Sequence, residues 1–522
     1  MPGQLANNLD LALAWRRAKF DRPDRCFVSH PFLIELVELD LDEWLADLRQ
    51  RIAAGFSPSP ALVCQEPKGG GLVRPGTCLQ LEDEVVFNAA VGSSFQAIAE
   101  NLRWSRGNPD VAYQLAIARD NPEWVSRGFI VWKQFREKSL GYLASGFPYV
   151  LFADISAFYE NIDLGRLASD LRRVGIAQET VRLLSACLNR WAEPRGKGIP
   201  QGYSAADILA KLYMEPVDQT LRIEGFKHLR YVDDIRVFCG TELEARKALL
   251  RLSELLRTRG LNLQSAKTYI RTATEAAGEI DGVAPVIARI QEELRDELSR
   301  EFAIAGPYAT LAELEELTAG HPDHPPLEVL ERAFGEHFGN PAQHEFNKTL
   351  FHYLLTRLGQ VGSKTAVDYC SALFARRPEE TKPVLKYLER IKPTQGVEET
   401  ILDFVLSDDA IYEYQKFLML RFFYDMRRFP AKLIHMARQV KRDRNCAPWL
   451  RAYAVAILGE AGTAADLEDL EATYPNATEI LERSEVICSL LRMETGRRNA
   501  FTGRAQVDGA LPERAARWVQ AH

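Results

Sequence analysis

The chain has 522 residues, of which 46% are hydrophobic and 26% charged, and its formal net charge is −7. This length favours two or more domains, and the acidic balance argues against tight, non-specific binding to duplex nucleic acid, although a local basic channel would be enough for a large enzyme. Since no apolar run approaches the roughly 18 residues of a membrane-spanning helix, we expect no membrane partner.

The cysteines are scattered through the chain and never form a CxxC pair. This pattern favours a reduced, cytoplasmic protein without a disulfide framework or a zinc ribbon. The N-terminal stretch lacks a basic region followed by an apolar one, so we expect no secretory signal. His321 and His324 form an HxxH pair in a proline-rich segment, where a surface loop is a better interpretation than a metal site.

The first stretch with chemical content is PKGGGLVRP, which begins at Pro67 and follows an opening segment with helical spacing. Three consecutive glycines stand between two cations, Lys68 and Arg74. A glycine turn lets the backbone approach a phosphate, and flanking cations can neutralise that phosphate. The alternative interpretation is a β-hairpin turn with solvated charges.

A short apolar run from Tyr149 to Ala153 predicts a buried strand, and Asp154 follows it directly. A carboxylate at the end of a strand projects from a rigid element, where functional groups are held most accurately. Tyr159 comes five residues later. The alternative for Asp154 is a helix N-cap, because the next segment can become helical.

The segment RGKGIPQGYSAADILAKLYMEPV predicts a flexible, glycine-containing loop followed by a helix. The helix begins at about Ser204 and carries apolar residues at helical spacing as far as Val217. A loop that leads into a helix N-terminus suits contacts with an anion or a nucleic-acid template. Gln201 and Gly202 lie where this loop meets the helix.

Two adjacent carboxylates, Asp233 and Asp234, lie in HLRYVDDIRVF, a pattern that predicts strand, tight turn and strand. They repel each other, and a divalent cation is one reason to place them together, because Mg²⁺ commonly uses one or two protein carboxylates plus substrate phosphates. A polar hairpin turn is the alternative, since aspartate favours turns. A helix from Glu242 to Arg257 follows, and then an alternating stretch that predicts a strand carrying Lys267.

Taken in order, the motifs PKGGGLVRP, ADISAFY, GIPQG, YVDD and LNLQSAKT resemble the fingers and palm motifs of reverse transcriptases. The resemblance covers roughly residues 55–280, and five motifs in this order are highly specific. It implies α+β fingers and palm, in agreement with strands that are mostly separated by helices. We expect this part to occupy residues 1–290 and a second, all-α part to occupy residues 291–522.

The resemblance also implies a catalytic metal centre. Asp154 and Asp233 match the carboxylates that do most of the metal binding in the family, and Asp234 contributes less. Ile155, beside Asp154, is assigned to the same site. Two Mg²⁺ ions, or Mn²⁺ as an alternative, about 3.5–4 Å apart can stabilise the attacking 3′ oxygen and the leaving pyrophosphate.

Four further residues match positions that hold the incoming nucleotide in the family. Tyr159, with Phe158 beside it, matches the aromatic residue that lies under the sugar and excludes a 2′-hydroxyl. This implies dNTPs rather than NTPs as substrates. Gln201 and Gly202 match the loop that positions nucleotide and template.

Three cations match positions near the triphosphate. Lys68 and Arg74 match the fingers cations that hold the phosphates. Lys267 matches the lysine near the leaving phosphate, which makes it a candidate general acid. A solvated lysine on a strand is the alternative for Lys267.

The remaining sequence predicts one helix after another. The predicted helices are 346–358, 364–374, 383–391, 398–406, 412–423, 430–438, 448–458, 464–474 and 477–491. They pair in units of roughly 35–45 residues, which is the range of HEAT-like α-solenoids. An irregular helical bundle is the alternative, because the units share little sequence.

A reverse transcriptase palm joined to helical repeats, without another enzyme module, is similar to the bacterial abortive-infection (Abi) group and to related defence reverse transcriptases. The resemblance implies anti-phage defence, homo-oligomers such as trimers or hexamers, and a single-stranded DNA product. DNA synthesis in that group is either template-independent and primed on a protein hydroxyl, or templated by a bound non-coding RNA. The first tyrosine here is Tyr113, so no N-terminal tyrosine is available as a primer, and Tyr412, Tyr414 or any serine or threonine are left as candidates.

The segment from Arg421 to Arg444 is the best candidate nucleic-acid surface. It contains Arg427, Arg428, Lys441 and Arg442, with aromatic residues between them. Basic grooves with stacking aromatics suit single strands. The alternative is that the aromatics belong to the helical core and the charges to a solvated face.

These observations predict a Mg²⁺-dependent DNA polymerase of the reverse transcriptase type that acts in phage defence, with synthesis that is protein-primed and template-independent. The enzyme class is RNA-directed DNA polymerase or DNA nucleotidyltransferase. DNA synthesis on a bound non-coding RNA is the first alternative. A catalytically silent palm that acts as a nucleic-acid or partner scaffold is the second, and the intact carboxylates argue against it. A templated polymerase with a housekeeping role is the third, and the lack of an obvious thumb argues against processive copying.

Overall fold

A computed structural model of the chain describes residues 2–103, 108–116, 120–125, 129–283, 285–293, 325–339, 346–477, 479–505 and 510–522. The chain divides into two compact units. The first unit comprises residues 1–29, 40–64 and 75–280, and the second comprises residues 30–39, 65–74 and 281–522. No helix in the described ranges is both long and apolar enough to cross a membrane.

The first unit is rich in helices. They are α1 (Pro2–Asn8), α2 (Leu11–Arg25), α4 (Leu41–Gly55), α5 (Leu81–Asn101), α6 (Phe129–Ala144), α7 (Phe158–Asn161), α8 (Leu164–Arg173), α9 (Gln178–Trp191), α10 (Ser204–Ile223), α11 (Glu242–Thr258) and α12 (Ala273–Ile280), with α3 (Leu33–Glu38) in the second unit. Several begin at a side chain that accepts a backbone N–H, namely Asp10 for α2, Asp163 for α8 and Thr241 for α11. Such N-caps satisfy donors that a helix cannot satisfy internally.

Two sheets accompany these helices. The strands are β1 (Leu62–Pro67), β2 (Val73–Cys78), β3 (Tyr149–Asp154), β4 (Lys227–Tyr231), β5 (Asp234–Cys239) and β6 (Tyr269–Thr272). β1 and β2 form a hairpin, and the other four form an antiparallel sheet in the order β4-β5-β3-β6. The predicted sequence of strand, helix, hairpin, helix and strand is therefore confirmed.

The four-stranded sheet is packed against helices. Val150, Phe152 and Phe238 belong to one apolar cluster that includes residues of α6 and α12. Helix α11 also packs against β3 and β5. The central strands β3 and β5 are therefore buried along most of their length. Residues at the ends of these strands are held in place by rigid elements.

One local prediction is wrong. The stretch LNLQSAKTYI was expected to be a continuous strand, but Ser265–Lys267 forms a single turn of 3₁₀ helix and the strand begins only at Tyr269. The backbone explains the difference, because the N–H of Gln264 donates to the carbonyl of Asp154 and the N–H of Lys267 donates to the carbonyl of Gln264. Lys267 therefore lies on a turn, and the turn is attached to the end of β3.

Among its described residues, the regular structure of the second unit is helical apart from the tip of the β1–β2 hairpin. Its named helices after α3 are α13 (Leu327–Phe338), α14 (Lys348–Val361), α15 (Val367–Arg376), α16 (Thr381–Ile391), α17 (Gln395–Leu406), α18 (Glu413–Asp425), α19 (Ala431–Arg442), α20 (Pro448–Ala461), α21 (Ala464–Thr473), α22 (Ile480–Ser489), α23 (Thr495–Ala505) and α24 (Ala510–Ala521). Residues 285–293 are also helical. The all-α character predicted for the C-terminal part is confirmed.

Alternate helices of the second unit contact each other. The series α14, α16, α18, α20, α22 and α24 is in contact from each member to the next, and α15, α17 and α19 form a second such series. α3 packs on α24, where the rings of Phe32 and Trp518 lie 5.0 Å apart. Within each series, a helix therefore packs against the second-next helix of the chain.

Candidate active site

Asp154 and Asp234 lie directly opposite each other on β3 and β5. Side chains of directly opposed residues point to the same face of a sheet, so the two carboxylates are neighbours. Asp154 is only 8% exposed. The helix after it begins at Phe158 and has Ala157 at its N-cap, so the N-cap interpretation of Asp154 is excluded.

Asp233 lies in the tight turn between β4 and β5. Its carbonyl accepts a hydrogen bond of 3.2 Å from the N–H of Ile155, which attaches the turn to the end of β3. The preceding residue, Val232, has φ +59°. A β-branched residue rarely adopts this left-handed conformation, and it persists only where the surroundings hold it.

Arg230 stabilises that turn by a hydrogen bond to its backbone. Its guanidinium donates a hydrogen bond of 3.0 Å to the carbonyl of Val232. Asp218 and Asp110 accept from the same guanidinium at 2.7 and 2.8 Å, and Arg230 is only 2% exposed. A buried guanidinium fixed by two carboxylates has little freedom, so the Val232 carbonyl has a fixed donor.

Lys211 and His228 complete this buried group. Lys211 donates to Asp110 at 2.6 Å, and the ring of His228 lies 3.3 Å from Asp218. Burial lowers the pKa of Lys211, and Asp110 partly offsets that effect. Burial alone would raise the pKa of Asp218, but Arg230 and His228 together outweigh that effect and the pKa is lowered. Since paired buried ions are strongly destabilised when one partner is lost, the group acts as a unit.

The opposed carboxylates change each other's acidity. Burial, followed by the nearby charges of Asp233 and Asp154, raises the pKa of Asp234 to about 6. Lys267 acts in the opposite direction, and its Nζ lies 3.2 Å from Oδ1 of Asp154. Like charges placed opposite each other on a sheet are destabilising. The site therefore favours a cation between or beside these carboxylates.

The carboxylates fit a metal ion that is held partly by the protein and partly by the phosphates of a substrate. Within the part of the chain that the structure describes, no group of three or more His, Cys, Asp or Glu side chains is gathered so as to hold a metal. Mg²⁺ commonly takes one or two protein carboxylates and completes its shell with water and substrate phosphates. Asp154 and Asp234 offer that number of side chains at one point of the sheet.

The predicted nucleotide residues follow β3 and precede α10. Phe158 is buried and Tyr159 is partly exposed, and their rings lie 5.4 Å apart. The hydroxyl of Tyr159 donates a hydrogen bond of 2.5 Å to Oδ1 of Asp207 on α10. Gln201 and Gly202 form the turn just before α10, and both are partly exposed. The turn and Tyr159 are therefore attached to the same helix.

Lys68 and Arg74 flank the tip of the β1–β2 hairpin, which belongs to the second unit. Gly69–Gly71 forms one helical turn, in which Gly70 has φ +77°. The N–H of Lys68 donates to the carbonyl of Leu72 at 2.7 Å, and Arg74 lies 3.4 Å from Glu66. The stretch is thus a hairpin turn, which is the geometry that its alternative interpretation assumed. The contact of both cations with a triphosphate stays a prediction.

The candidate nucleic-acid residues of the second unit lie mostly in ion pairs. Arg427 pairs with Glu460 at 3.0 Å, Arg428 with Glu398 at 2.7 Å and Lys441 with Asp469 at 2.7 Å, whereas Arg442 is exposed. The neighbouring aromatics Phe422, Phe423 and Tyr424 are buried. These contacts favour core packing and interhelical pairing for most of the segment.

A row of buried charges on α10 was not among the predicted site residues. Asp207, Lys211, Glu215 and Asp218 are each at most 5% exposed. Their spacing of four, four and three residues places them on one face of an otherwise apolar helix. Lys and Asp are almost never fully buried unless they are paired, so charges on the apolar side of a helix were the available signal.

Comparison with known proteins agrees with this geometry. Residues 129–297 match the family model described as reverse transcriptase (RNA-dependent DNA polymerase). That range contains β3 to β6, both carboxylate positions and the Gln201–Gly202 turn. The chain therefore carries a reverse transcriptase domain. No curated protein matches the chain.

Two telomerase structures are similar to the chain, each described as a complex with a TWJ fragment of telomeric RNA. The telomerase from Candida albicans is 12% identical with a TM-score of 0.30, and the match covers 73% of this chain and 70% of that one. The telomerase from Candida tropicalis is 13% identical with a TM-score of 0.32, and the match covers 72% and 67%.

Proposed function

We propose that this chain is a DNA polymerase of the reverse transcriptase type that adds dNTPs in a reaction dependent on divalent metal. The observation that carries the proposal is the placement of Asp154 opposite Asp234, with Asp233 in the adjoining turn, inside the range that matches the reverse transcriptase family. Carboxylates from separate strands that converge at one point are what phosphoryl transfer with two metal ions requires.

Asp154, Asp233 and Asp234 would hold the metal ions, with Ile155 beside them. When bound, Mg²⁺ would neutralise charge on the triphosphate and on the attacking and leaving oxygens. Lys267, on its turn beside Asp154, is proposed as the cation that meets the leaving phosphate. Its present contact with Asp154 supports this role, because the ammonium is already held at the carboxylate site.

The remaining residues would position the nucleotide. Tyr159 is proposed to lie under the sugar, with Phe158 packed beside it. Gln201 and Gly202 would contact nucleotide and template from the turn before α10. Lys68 and Arg74 are proposed to bind the triphosphate, supported by a glycine turn that leaves the backbone between them exposed.

We further propose that the protein acts in the bacterial cytoplasm in anti-phage defence, as a member of the abortive-infection group. The contacts between alternate helices of the second unit support a HEAT-like repeat, since such repeats bury their apolar faces against successive neighbours. A homo-oligomer, as a trimer or hexamer, and protein-primed synthesis without a template belong to the same proposal.

A second mode of synthesis is favoured by one observation. The family model that matches residues 129–297 is described as an RNA-dependent DNA polymerase, which favours copying of an RNA. In this mode a bound non-coding RNA would be the template.

The first experiment measures incorporation of each labelled dNTP by the purified protein with Mg²⁺, with and without prior RNase treatment. Asp154→Asn and Asp234→Asn are each expected to lower incorporation by on the order of a hundredfold or more, because an amide lacks the negative charge that holds the metal ions. A hundredfold loss corresponds to roughly 2.7 kcal/mol of activation free energy. Asp10→Asn is the matched control, since Asn also caps a helix and Asp10 caps α2. Full activity of Asp154→Asn would contradict the assignment.

The products of the same experiment separate the two modes. Label that stays with protein until proteolysis, and survives RNase treatment, supports synthesis on a protein hydroxyl. Label that disappears after RNase treatment supports an RNA template. Absence of label in both conditions, with folded protein and Mg²⁺ present, would contradict the polymerase proposal and support a scaffold.

A further inference from the structure

The residue proposed to select the sugar lies on a very short helix. Tyr159 belongs to α7, which has four residues and begins after Ala157 at φ +45°. One helical turn has no stability of its own in water, because its first hydrogen bonds fix several residues at once. The position of Tyr159 must therefore come from contacts outside α7.

The backbone of α7 is held by the loop that precedes α10. The N–H of Ile199 donates to the carbonyl of Tyr159 at 3.0 Å, and the N–H of Gly198 donates to the carbonyl of Ile162 at 2.9 Å. Gly198 has φ +95°, and a Cβ there would lie 3.3 Å from the carbonyl oxygen of Glu160. The loop thus approaches α7 more closely than most residues with a Cβ would allow.

The far end of the Tyr159 side chain is held by a buried acid. Its hydroxyl donates a hydrogen bond of 2.5 Å to Oδ1 of Asp207, which is only 1% exposed. A hydrogen bond this short to a carboxylate is of the strong, charge-assisted kind. Asp207 lies in the first turn of α10, where the helix dipole favours a negative charge. The ring is therefore fixed at its backbone and at its hydroxyl.

We propose that Asp207 is a positioning residue for the choice between dNTPs and NTPs, acting through the hydroxyl of Tyr159. A dNTP and an NTP differ by one hydroxyl oxygen, so a side chain that excludes the 2′-hydroxyl must keep its position when an NTP enters the site. Productive sites hold their groups within roughly 0.5 Å, and such accuracy needs supporting hydrogen bonds. A ring attached only at its Cα could rotate away from a 2′-hydroxyl, whereas a ring bonded to Asp207 cannot do so without breaking that bond.

This inference rests on the proposed function. It adds a prediction that differs from the one expected if the size of the Tyr159 ring were the only factor. Phenylalanine fills the same volume as tyrosine but cannot bond to Asp207. If the ring alone excluded the 2′-hydroxyl, Tyr159→Phe would leave discrimination unchanged. If Asp207 positions the ring, Tyr159→Phe and Asp207→Ala relax discrimination equally.

The test is a double-mutant cycle on kcat/KM for a dNTP and for the matching NTP. Tyr159→Phe and Asp207→Ala are each expected to lower the ratio of the two kcat/KM values about tenfold, mainly by improving NTP use, and the double variant is expected to lower it no further. Asp207→Asn, which keeps an acceptor oxygen, is expected to retain most of the ratio. Tyr213→Phe is the control, because it removes another hydrogen-bonded hydroxyl, one carried by α10.

The outcomes separate the inference from the proposed function. A merely structural role for Asp207 would lower both kcat/KM values in parallel and leave their ratio unchanged, which would overturn the inference. Additive effects in the double variant would also overturn it. If Asp207→Ala does not fold, Tyr159→Phe and Asp207→Asn carry the test alone. Wild-type protein that incorporates neither nucleotide would overturn the proposed function and the inference with it.

Discussion

At the residue scale, the carboxylate turn depends on a conformation that valine rarely adopts. Val232 is held at φ +59° with its carbonyl bonded to Arg230, which is itself fixed by Asp218 and Asp110. Backbone strain of this kind costs on the order of 1–3 kcal/mol and persists only where neighbours hold it. The turn that presents Asp233 is thus maintained by side chains that would never touch the substrate.

Arg230→Lys is expected to loosen this turn. Lysine keeps the charge but loses the planar group that binds two carboxylates and the Val232 carbonyl at once. We expect the Mg²⁺ concentration for half-maximal incorporation to rise several-fold, together with a lower thermal unfolding midpoint. Arg451→Lys is the control, since Arg451 is a buried arginine of the second unit that bonds to the carboxylate of Glu482. An unchanged Mg²⁺ dependence in Arg230→Lys would contradict this role.

A second residue-scale prediction concerns pH and stability. Burial raises the pKa of Asp83 to about 7, partly offset by the N–H of Ser59, which lies 3.1 Å from its carboxylate. The folded protein therefore keeps a proton on Asp83 at pH values where the unfolded chain has released it. Its contribution to stability is present below the unfolded pKa and is lost as the pH rises towards 7.

Asp83→Asn is expected to reverse that loss. The variant should gain roughly 2–3 kcal/mol of stability relative to wild type between pH 5 and pH 8, because each pKa unit corresponds to about 1.36 kcal/mol. Unfolding midpoints measured across this range would check it, with Asp10→Asn as an exposed control. A constant difference between Asp83→Asn and wild type would contradict the prediction.

At the scale of elements, the glycine loop before α10 allows a matched comparison. Gly196 and Gly198 both have positive φ, of +85° and +95°. A methyl group added at Gly198 would lie within 4 Å of the backbone of Glu160, whereas one added at Gly196 would meet open space. Gly196→Ala should therefore cost only backbone strain, whereas Gly198→Ala should also push the loop away from α7.

Thermal unfolding and incorporation assays of the two variants would separate these effects. Both should lower the unfolding midpoint, because alanine is strained at positive φ. Only Gly198→Ala should also relax discrimination between dNTPs and NTPs, since it disturbs the backbone of Tyr159. Equal behaviour of the two variants would mean that the close approach to Glu160 has no consequence.

The same elements indicate how much the sequence can predict. Asp154 and Asp234 could be predicted because each adjoins an apolar strand, and strand ends hold their residues rigidly. The support for Arg230 could not, because Asp110 is 120 residues away in the chain and no local pattern links the two. Lys267 was predicted to lie on a strand because the residues around it alternate as they do in a strand. Hydrogen bonds between this segment and the end of β3 instead stabilise a turn.

At the scale of the whole molecule, charge limits how nucleic acid can bind. The net charge is −7, and the cations at Arg427, Arg428 and Lys441 already have carboxylate partners. Phosphate contact by these three would require breaking an ion pair, whereas Arg442 is exposed. We therefore expect any phosphate contact from this segment to come first from Arg442.

Binding of single-stranded DNA at several salt concentrations would check this expectation. Arg442→Gln should reduce the slope of log affinity against log salt by about 0.7, the value of one phosphate contact on a single strand. Lys441→Gln should leave the slope unchanged and lower the unfolding midpoint, because it leaves Asp469 without its ion pair. A reduced slope in Lys441→Gln would instead support phosphate contact by that residue.

The connectivity of the two units limits how the molecule can be divided. Residues 30–39 and 65–74 belong to the second unit although they precede most of the first, so the polypeptide passes between the units five times. A fragment that stops near residue 290 would retain α3, whose Leu33, Leu36 and Val37 are buried, but would lose α24, on which α3 packs. The C-terminal helices therefore do not make up the second unit by themselves. An exchange of this unit between related proteins would have to include residues 30–39 and 65–74 as well.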